Sequence, residues 1–163
     1  MSRRWAVNAS PLIVLAKIGR IALFPALCDH LVIPEGTADE VQRGEEQDPS
    51  VLWIRDQGQR FIVPDAPLSP EVSAWDLGQG ETAVLSWAYQ NPGYEAIIDD
   101  RAARNCAAAL GIPVRGTLGT LLVAKKAGIL DRVEPIMEDV IASGLHVHPR
   151  LQEVILRLAG ESS

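Results

Sequence analysis

The feature that most limits what this chain can fold into is its rhythm: short apolar runs, each closed by a polar residue or proline and followed by helical spacing. Residues 5–8, 31–33, 61–63 and 96–98 read as strands, with a strand remnant at 113–114. The run Ala96, Ile97, Ile98 is apolar on both faces and ends in Asp99-Asp100, the pattern of a central parallel strand covered on both sides. Helices are expected over 11–18, 21–27, 81–89, 101–110, 117–127, 131–142 and 150–158, with a further one opening at Thr37. Ser10-Pro11 supplies an N-cap with proline at the first helical position, and Gly19 and Gly111 end their helices. Thr37 and Glu40 have capping-box spacing. Residues 42–50 read as a loop, 51–56 as weakly helical, 64–80 as the longest irregular stretch, and 145–148 as a candidate edge strand closed by Pro149. Strands alternating with helices in this way imply a three-layer α/β/α sandwich around a central, mainly parallel sheet.

At 163 residues, the chain is expected to form one domain spanning residues 1–163. Arg3-Arg4 followed by apolar residues resembles the start of a signal peptide, but Asn8, Ser10, Pro11 and Lys17 interrupt the run. No stretch approaches the roughly 20 apolar residues of a membrane span, so a cytoplasmic protein with no membrane partner is expected. Cys28 and Cys106 are far apart and fit neither a zinc pattern nor a disulfide framework, so both read as buried thiols. The net charge of −6 is the wrong sign for holding a phosphate backbone by bulk charge, but the charge is segregated. Residues 35–100 carry −11 and residues 101–132 carry +5, which suits a metal-binding cluster beside a phosphate-contacting flank and equally suits a solvated surface.

In parallel α/β sheets the site lies at the carboxyl ends of the strands. Asn8 ends the first strand and Asp99 and Asp100 end that at 96–98, while Glu40 and Glu81 are expected in the first turns of their helices. Carboxylates gathered at one edge repel unless a cation intervenes, and hard oxygen donors select Mg²⁺ or Mn²⁺. Each acid also has an ordinary role: Glu40 in the Thr37 capping box, Glu81 at a helix N-terminus, and Asp99 or Asp100 as a cap for the helix at Arg101.

Five ordered blocks, Val7-Asn-Ala-Ser-Pro-Leu-Ile13, Pro34-Glu-Gly-Thr-Ala-Asp-Glu-Val41, Gly78-Gln-Gly-Glu-Thr-Ala83, Ile97-Ile-Asp-Asp-Arg101 and Gly116-Thr-Leu-Gly119, resemble the successive blocks of a PIN-domain-like family over residues 5–160. The branch resembled is related to the toxin nucleases of toxin–antitoxin modules. The resemblance implies a metal-dependent endoribonuclease, the toxin of a type II module, with RNA as substrate, a cognate antitoxin as partner and a homodimer as the assembly. It puts Glu40, Glu81 and the Asp99-Asp100 pair at the family's acidic, catalytic and metal-holding positions, and it leaves open which aspartate is the ligand. Asn8 stands where the family usually has its first aspartate. The amide keeps an oxygen donor and loses the charge, which lowers metal affinity.

In that reading Ser10 and Thr117 orient metal-bound waters, against plain roles as an N-cap and a helix start. Arg101, Arg104, Arg115, Lys125 and Lys126 face the phosphate backbone, against a solvated helix face. His146 and His148 alternate on one face but lack a third nitrogen or sulfur ligand nearby. Trp5, Trp53, Trp75 and Trp87 read as core or interface residues. The competing reading is a catalytically weak PIN-like domain that binds RNA or protein without cutting, favoured by Asn8. A doubly wound nucleotide-binding domain is disfavoured because no GxGxxG or phosphate-loop lysine motif follows a strand.

Overall fold

The computed structural model describes residues 2–162. Strands β1 (Arg4–Val7), β2 (His30–Pro34), β3 (Ile62–Val63), β4 (Glu95–Ile97) and β5 (Val114–Arg115) form one sheet in the order β3-β2-β1-β4-β5, and every neighbouring pair is parallel. β1 is the middle strand, with Trp5 in register with Leu31 on one side and Glu95 on the other. Ten α-helices connect and cover the strands among the described residues: α1 (Ala9–Lys17), α2 (Leu23–Leu27), α3 (Glu35–Gln42), α4 (Pro49–Trp53), α5 (Pro70–Ser73), α6 (Gln79–Gln90), α7 (Arg101–Leu110), α8 (Thr117–Lys126), α9 (Glu134–Ala142) and α10 (Pro149–Leu158). α4 runs on into a π-turn at Ile54–Gly58 and a 3₁₀ turn at Gln59–Phe61.

Two apolar clusters sit on the two faces of the sheet, and the alternation of side chains along each strand assigns them. Trp5, Val7, Leu31, Ile33 and Ile97 point to one face, where α1, α2, α4, α8, α9 and α10 cover them. Ala6, Val32, Ala96 and Ile98 point to the other, under α5, α6 and α7. The result is the expected three-layer sandwich, with an all-parallel sheet. Trp5 and Trp53 belong to the core, Trp5 edge-on to Phe24 and Trp53 stacked on Phe61, whereas Trp75 is exposed. Each fully buried side chain of this size contributes about 1.5–3 kcal/mol of transfer free energy.

Gly111 ends α7 in the left-handed conformation with φ 72°, where a side chain would be strained, so the sequence expectation for that helix end holds. The edge strand expected at 145–148 does not form, and β5 remains the outermost strand on that side. Val147 instead drops into the apolar cluster, and His148 becomes the N-cap of α10, its Nδ1 accepting from the Arg150 N–H at 3.1 Å. No helix among the described residues is long and apolar enough to cross a membrane.

Candidate active site

The strand order reverses between β1 and β4, because the chain reaches β4 by crossing from the far edge. A crevice opens at the carboxyl edge of such a switch point. Asn8 is the first residue beyond β1, and its N–H donates to the Ile97 carbonyl at 3.0 Å, so its backbone is fixed by the neighbouring strand. α1 begins at Ala9, so Asn8 and not Ser10 occupies the N-cap position. Ser10 lies inside the first turn and on the wall of the crevice. The Asn8 side chain is only 2% exposed, makes no capping bond, and its Oδ1 has no hydrogen-bond partner.

Glu40 reaches the same place from α3. The capping box expected for Thr37 does not form: the helix starts at Glu35, one turn earlier than Thr37 would cap it. Thr37 is fully buried with its hydroxyl unpartnered, and Glu40 sits in the second turn, not the first. What lets Glu40 approach Asn8 is a missing side chain on α6. A Cβ on Gly80 would stand 2.7 Å from Glu40 Oε1 and 3.2 Å from Asn8 Oδ1, so both oxygens converge on one point above that glycine. Glu81, in the first turn of α6 as expected, folds its Oε2 back over Gly78. Burial first, and then the neighbouring Glu81 charge, pushes the Glu40 carboxyl above its ordinary range, with Arg43 opposing.

The two neighbouring aspartates have separate jobs. Asp99 Oδ1 accepts from the Thr117 N–H at 2.9 Å and Oδ2 from its hydroxyl at 2.6 Å, which fixes the carboxylate across the β4–β5 gap. The Thr117 hydroxyl thereby donates to Asp99 and keeps only acceptor lone pairs for other partners. Gly116 makes room for this contact, since a Cβ there would meet Asp99 Oδ1 at 2.8 Å and an Arg104 guanidinium nitrogen at 3.1 Å. Asp100 is exposed and caps α7, its Oδ2 accepting from the Ala103 N–H at 2.9 Å.

A crevice of about 720 Å³ is lined by Asn8, Glu81, Asp99 and Asp100, by Arg104 and Arg115, and by apolar side chains that include Leu145, Val147 and Leu151. Arg104 donates to the Ile98 carbonyl at 3.3 Å, and Arg115 Nε is ion-paired with Glu95 at 3.0 Å. Arg101 opens α7 at the surface. Lys125 and Lys126 do not join this group. They lie in the last turn of α8, roughly 12 Å along the helix from Thr117. Lys125 is bound instead to the Ala159 carbonyl at 2.6 Å and Glu161 at 2.8 Å. Neither thiol offers a nucleophile, because burial pushes Cys28 up to about 12 and raises Cys106 as well.

Among the described residues, no three His, Cys, Asp or Glu side chains stand together closely enough to hold a metal unaided. The donor set nonetheless fits a hard cation. A buried amide oxygen without a donor, aimed at the same point as a carboxylate, is unfavourable until a positive charge or proton is shared between them. The sequence reading missed Gly80 and Gly116, whose contribution is the space they leave, and it gave no role to the wall formed by Leu145, Val147 and Leu151.

Comparison with curated proteins finds no match. The family model described as PIN domain matches residues 4–161, from β1 to beyond α10. PIN domains are a nuclease fold and are generally dependent on a divalent metal. With the all-parallel sheet, the sandwich and a carboxylate-lined crevice at the switch point, the chain belongs to the PIN-domain family.

Proposed function

We propose that this chain is a Mg²⁺- or Mn²⁺-dependent endoribonuclease whose centre is built from Asn8, Glu40, Glu81 and Asp99. The observation that carries the reading is the meeting of the unpartnered Asn8 Oδ1 with the Glu40 carboxylate above Gly80. Asp99 rather than Asp100 is the ligand after β4, because Asp99 is half-buried and held in place by Thr117, whereas Asp100 is exposed and caps α7. Asn8, Glu40 and Asp99 would hold the cation, which when bound would lower the pKa of a coordinated water and offset negative charge developing at the phosphate. Glu81 orients the attacking water toward the phosphorus and accepts its proton. As the P–O bond to the leaving nucleotide breaks, that oxygen takes a proton from solvent, and Glu81 returns the one it accepted to solvent. Arg104 and Arg115 hold the flanking phosphates by charge-assisted hydrogen bonds. Thr117 acts as a positioning residue through Asp99.

The cellular role that fits is the toxin of a type II toxin–antitoxin module, cytoplasmic, homodimeric and held by a cognate antitoxin. These points rest on the family resemblance. Incubating single-stranded RNA with the protein and Mg²⁺ or Mn²⁺ tests the chemistry. Cleavage should be lost with EDTA and fall at least about a hundredfold in Glu81→Gln. Cleavage equal in wild type and variant contradicts the assignment. A second reading, a weak or inactive RNA- or protein-binding domain, is favoured by the neutral amide at Asn8. Metal-independent RNA binding without any cleavage would establish it.

A further inference from the structure

Three adjacent strands place Trp5, Glu95 and Arg115 on one face of the sheet. Trp5 of β1 is in register with Glu95 of β4, and Ile97, two residues along β4, is in register with Arg115 of β5, so side-chain alternation puts all of them on the face that α8 covers. Glu95 Oε1 accepts from the Trp5 indole N–H at 2.9 Å and from Arg115 Nε at 3.0 Å. Trp5 is 1% exposed and packed edge-on to Phe24, so the carboxylate is anchored to a side chain the core holds still. Arg115 is steered from its other side by a missing side chain. A Cβ on Gly119 of α8 would stand 2.7 Å from Arg115 Cγ and 3.4 Å from its Cδ, so the aliphatic stem lies against the helix where only glycine leaves room.

An ion pair whose side chains keep 34% and 21% of their surface in solvent contributes little to stability, and its larger effect is on direction. Nε is committed to Glu95, while the remaining N–H donors, on the two Nη nitrogens, have no hydrogen-bond partner among the described residues. Arg115 lines the crevice, so this aimed fork is open to a ligand there, and its planar shape matches phosphate oxygens. Glu95 lies two residues to the amino side of Ile97 and Asp99 two to the carboxyl side, so the bond draws the guanidinium back along the strands, away from the carboxyl edge. The geometry points to Glu95 as a positioning residue: it aims the Arg115 Nη donors at a backbone phosphate neighbouring the scissile one, and Trp5 and Gly119 fix that aim. This rests on RNA being the substrate, as in the proposed function. A carboxylate repels a polyanion, so charge alone predicts that removing Glu95 strengthens RNA binding. Positioning predicts the opposite sign, while Glu95→Gln, whose amide oxygen can accept both N–H bonds, keeps the aim.

Affinity for a short labelled RNA is measured by fluorescence anisotropy in the Glu81→Gln background, and KM and kcat for its cleavage in otherwise wild-type protein. Glu95→Ala should bind about tenfold more weakly, with affinity falling less steeply with salt and the loss appearing in KM rather than kcat. Glu95→Gln should bind at least as tightly as its parent. Gly119→Ala raises helix propensity in α8 and touches neither hydrogen bond, yet should lose several-fold in affinity by displacing the Arg115 stem. It decides the question should Glu95→Ala, which leaves the buried indole N–H without an acceptor, fail to fold. In an Arg115→Ala background Glu95→Ala should cost nothing further, because no guanidinium remains to be aimed. Unchanged or tighter binding by both Glu95→Ala and Gly119→Ala, equal weakening in Glu95→Ala and Glu95→Gln, a loss that persists without Arg115, or no RNA binding by the parent overturns the assignment. Absence of cleavage with the expected binding pattern intact contradicts the nuclease reading and leaves this one standing. Cleavage with KM unchanged in both variants does the reverse.

Discussion

A buried amide oxygen without a partner is a costly arrangement, of the order of 1–3 kcal/mol, and Asn8 maintains one beside a carboxylate. In the proposed function a bound cation would relieve it. Asn8→Asp adds a charge to a position that is 2% exposed. The variant should therefore melt lower than wild type in EDTA and gain more from Mg²⁺, which differential scanning fluorimetry reads directly. Gly80→Ala places a methyl 2.7 Å from Glu40 Oε1. The end of a flexible side chain can yield, so the fold should survive while metal affinity and cleavage fall about ten- to a hundredfold.

Glu40 sets the pH behaviour. Its carboxyl is raised by burial and then by Glu81. A native carboxyl raised above its unfolded value stabilises fully below that unfolded value, and the contribution is lost as pH rises through the native one. Cation-free protein should thus lose a little stability as pH climbs out of the ordinary carboxylate range, and Glu40→Gln should flatten the profile. Solvent at this half-exposed group keeps the slope small. With Mg²⁺ the sign reverses, since binding needs the ionised form. Melting temperature against pH, with and without Mg²⁺, checks both halves.

At the scale of elements, the strand–helix rhythm was enough to predict the layers, because parallel strands buried on both faces leave long apolar runs such as 96–98. Asp99 and Asp100 follow a strand and Glu81 opens a helix, as the sequence implied, whereas Glu40 lies in the second turn of α3 and not the first. The different bonding of the two aspartates was not legible: both line the crevice, but Asp99 is held by Thr117, eighteen residues on, while Asp100 caps α7 through Ala103. The capping signals at Thr37 and Ser10 misled for a related reason. Tertiary packing extends α3 and α1 toward their N-termini, burying Thr37 and leaving Asn8 at the start of α1. Leu145 to His148 alternate like a strand, but Val147 is buried in the apolar cluster and His148 caps α10 instead of pairing with the sheet. Thr117→Val should cost about 1–3 kcal/mol by leaving Asp99 short of a donor, and Asp100→Ala about 1 kcal/mol by uncapping α7. Only the first should impair metal binding, a contrast that urea melts paired with metal titrations can establish.

For the whole molecule, one sheet carries both apolar clusters, so a single calorimetric unfolding transition is expected. The end of the chain is tied into that unit by Glu161, whose carboxylate accepts from the Val133 N–H at 2.7 Å, the Glu134 N–H at 2.9 Å and Lys125 at 2.8 Å. Burial works to raise its pKa, but these donors prevail and hold it at about 2. Its contribution is present above the ordinary carboxylate range and lost as pH falls toward that value, and Glu161→Ala should cost about 2 kcal/mol at neutral pH. Lys125 therefore serves the fold, while Arg104 and Arg115 stand beside the acids.

The proposed function depends on one cation at the switch point of the sheet. Isothermal titration calorimetry with Mn²⁺ measures this most directly: wild type should bind one ion per chain, and Glu40→Gln and Asp99→Asn should each lose at least tenfold in affinity while melting as cooperatively as wild type. Heat-silent titrations, or affinities that do not change in either variant, would contradict a metal centre at this edge.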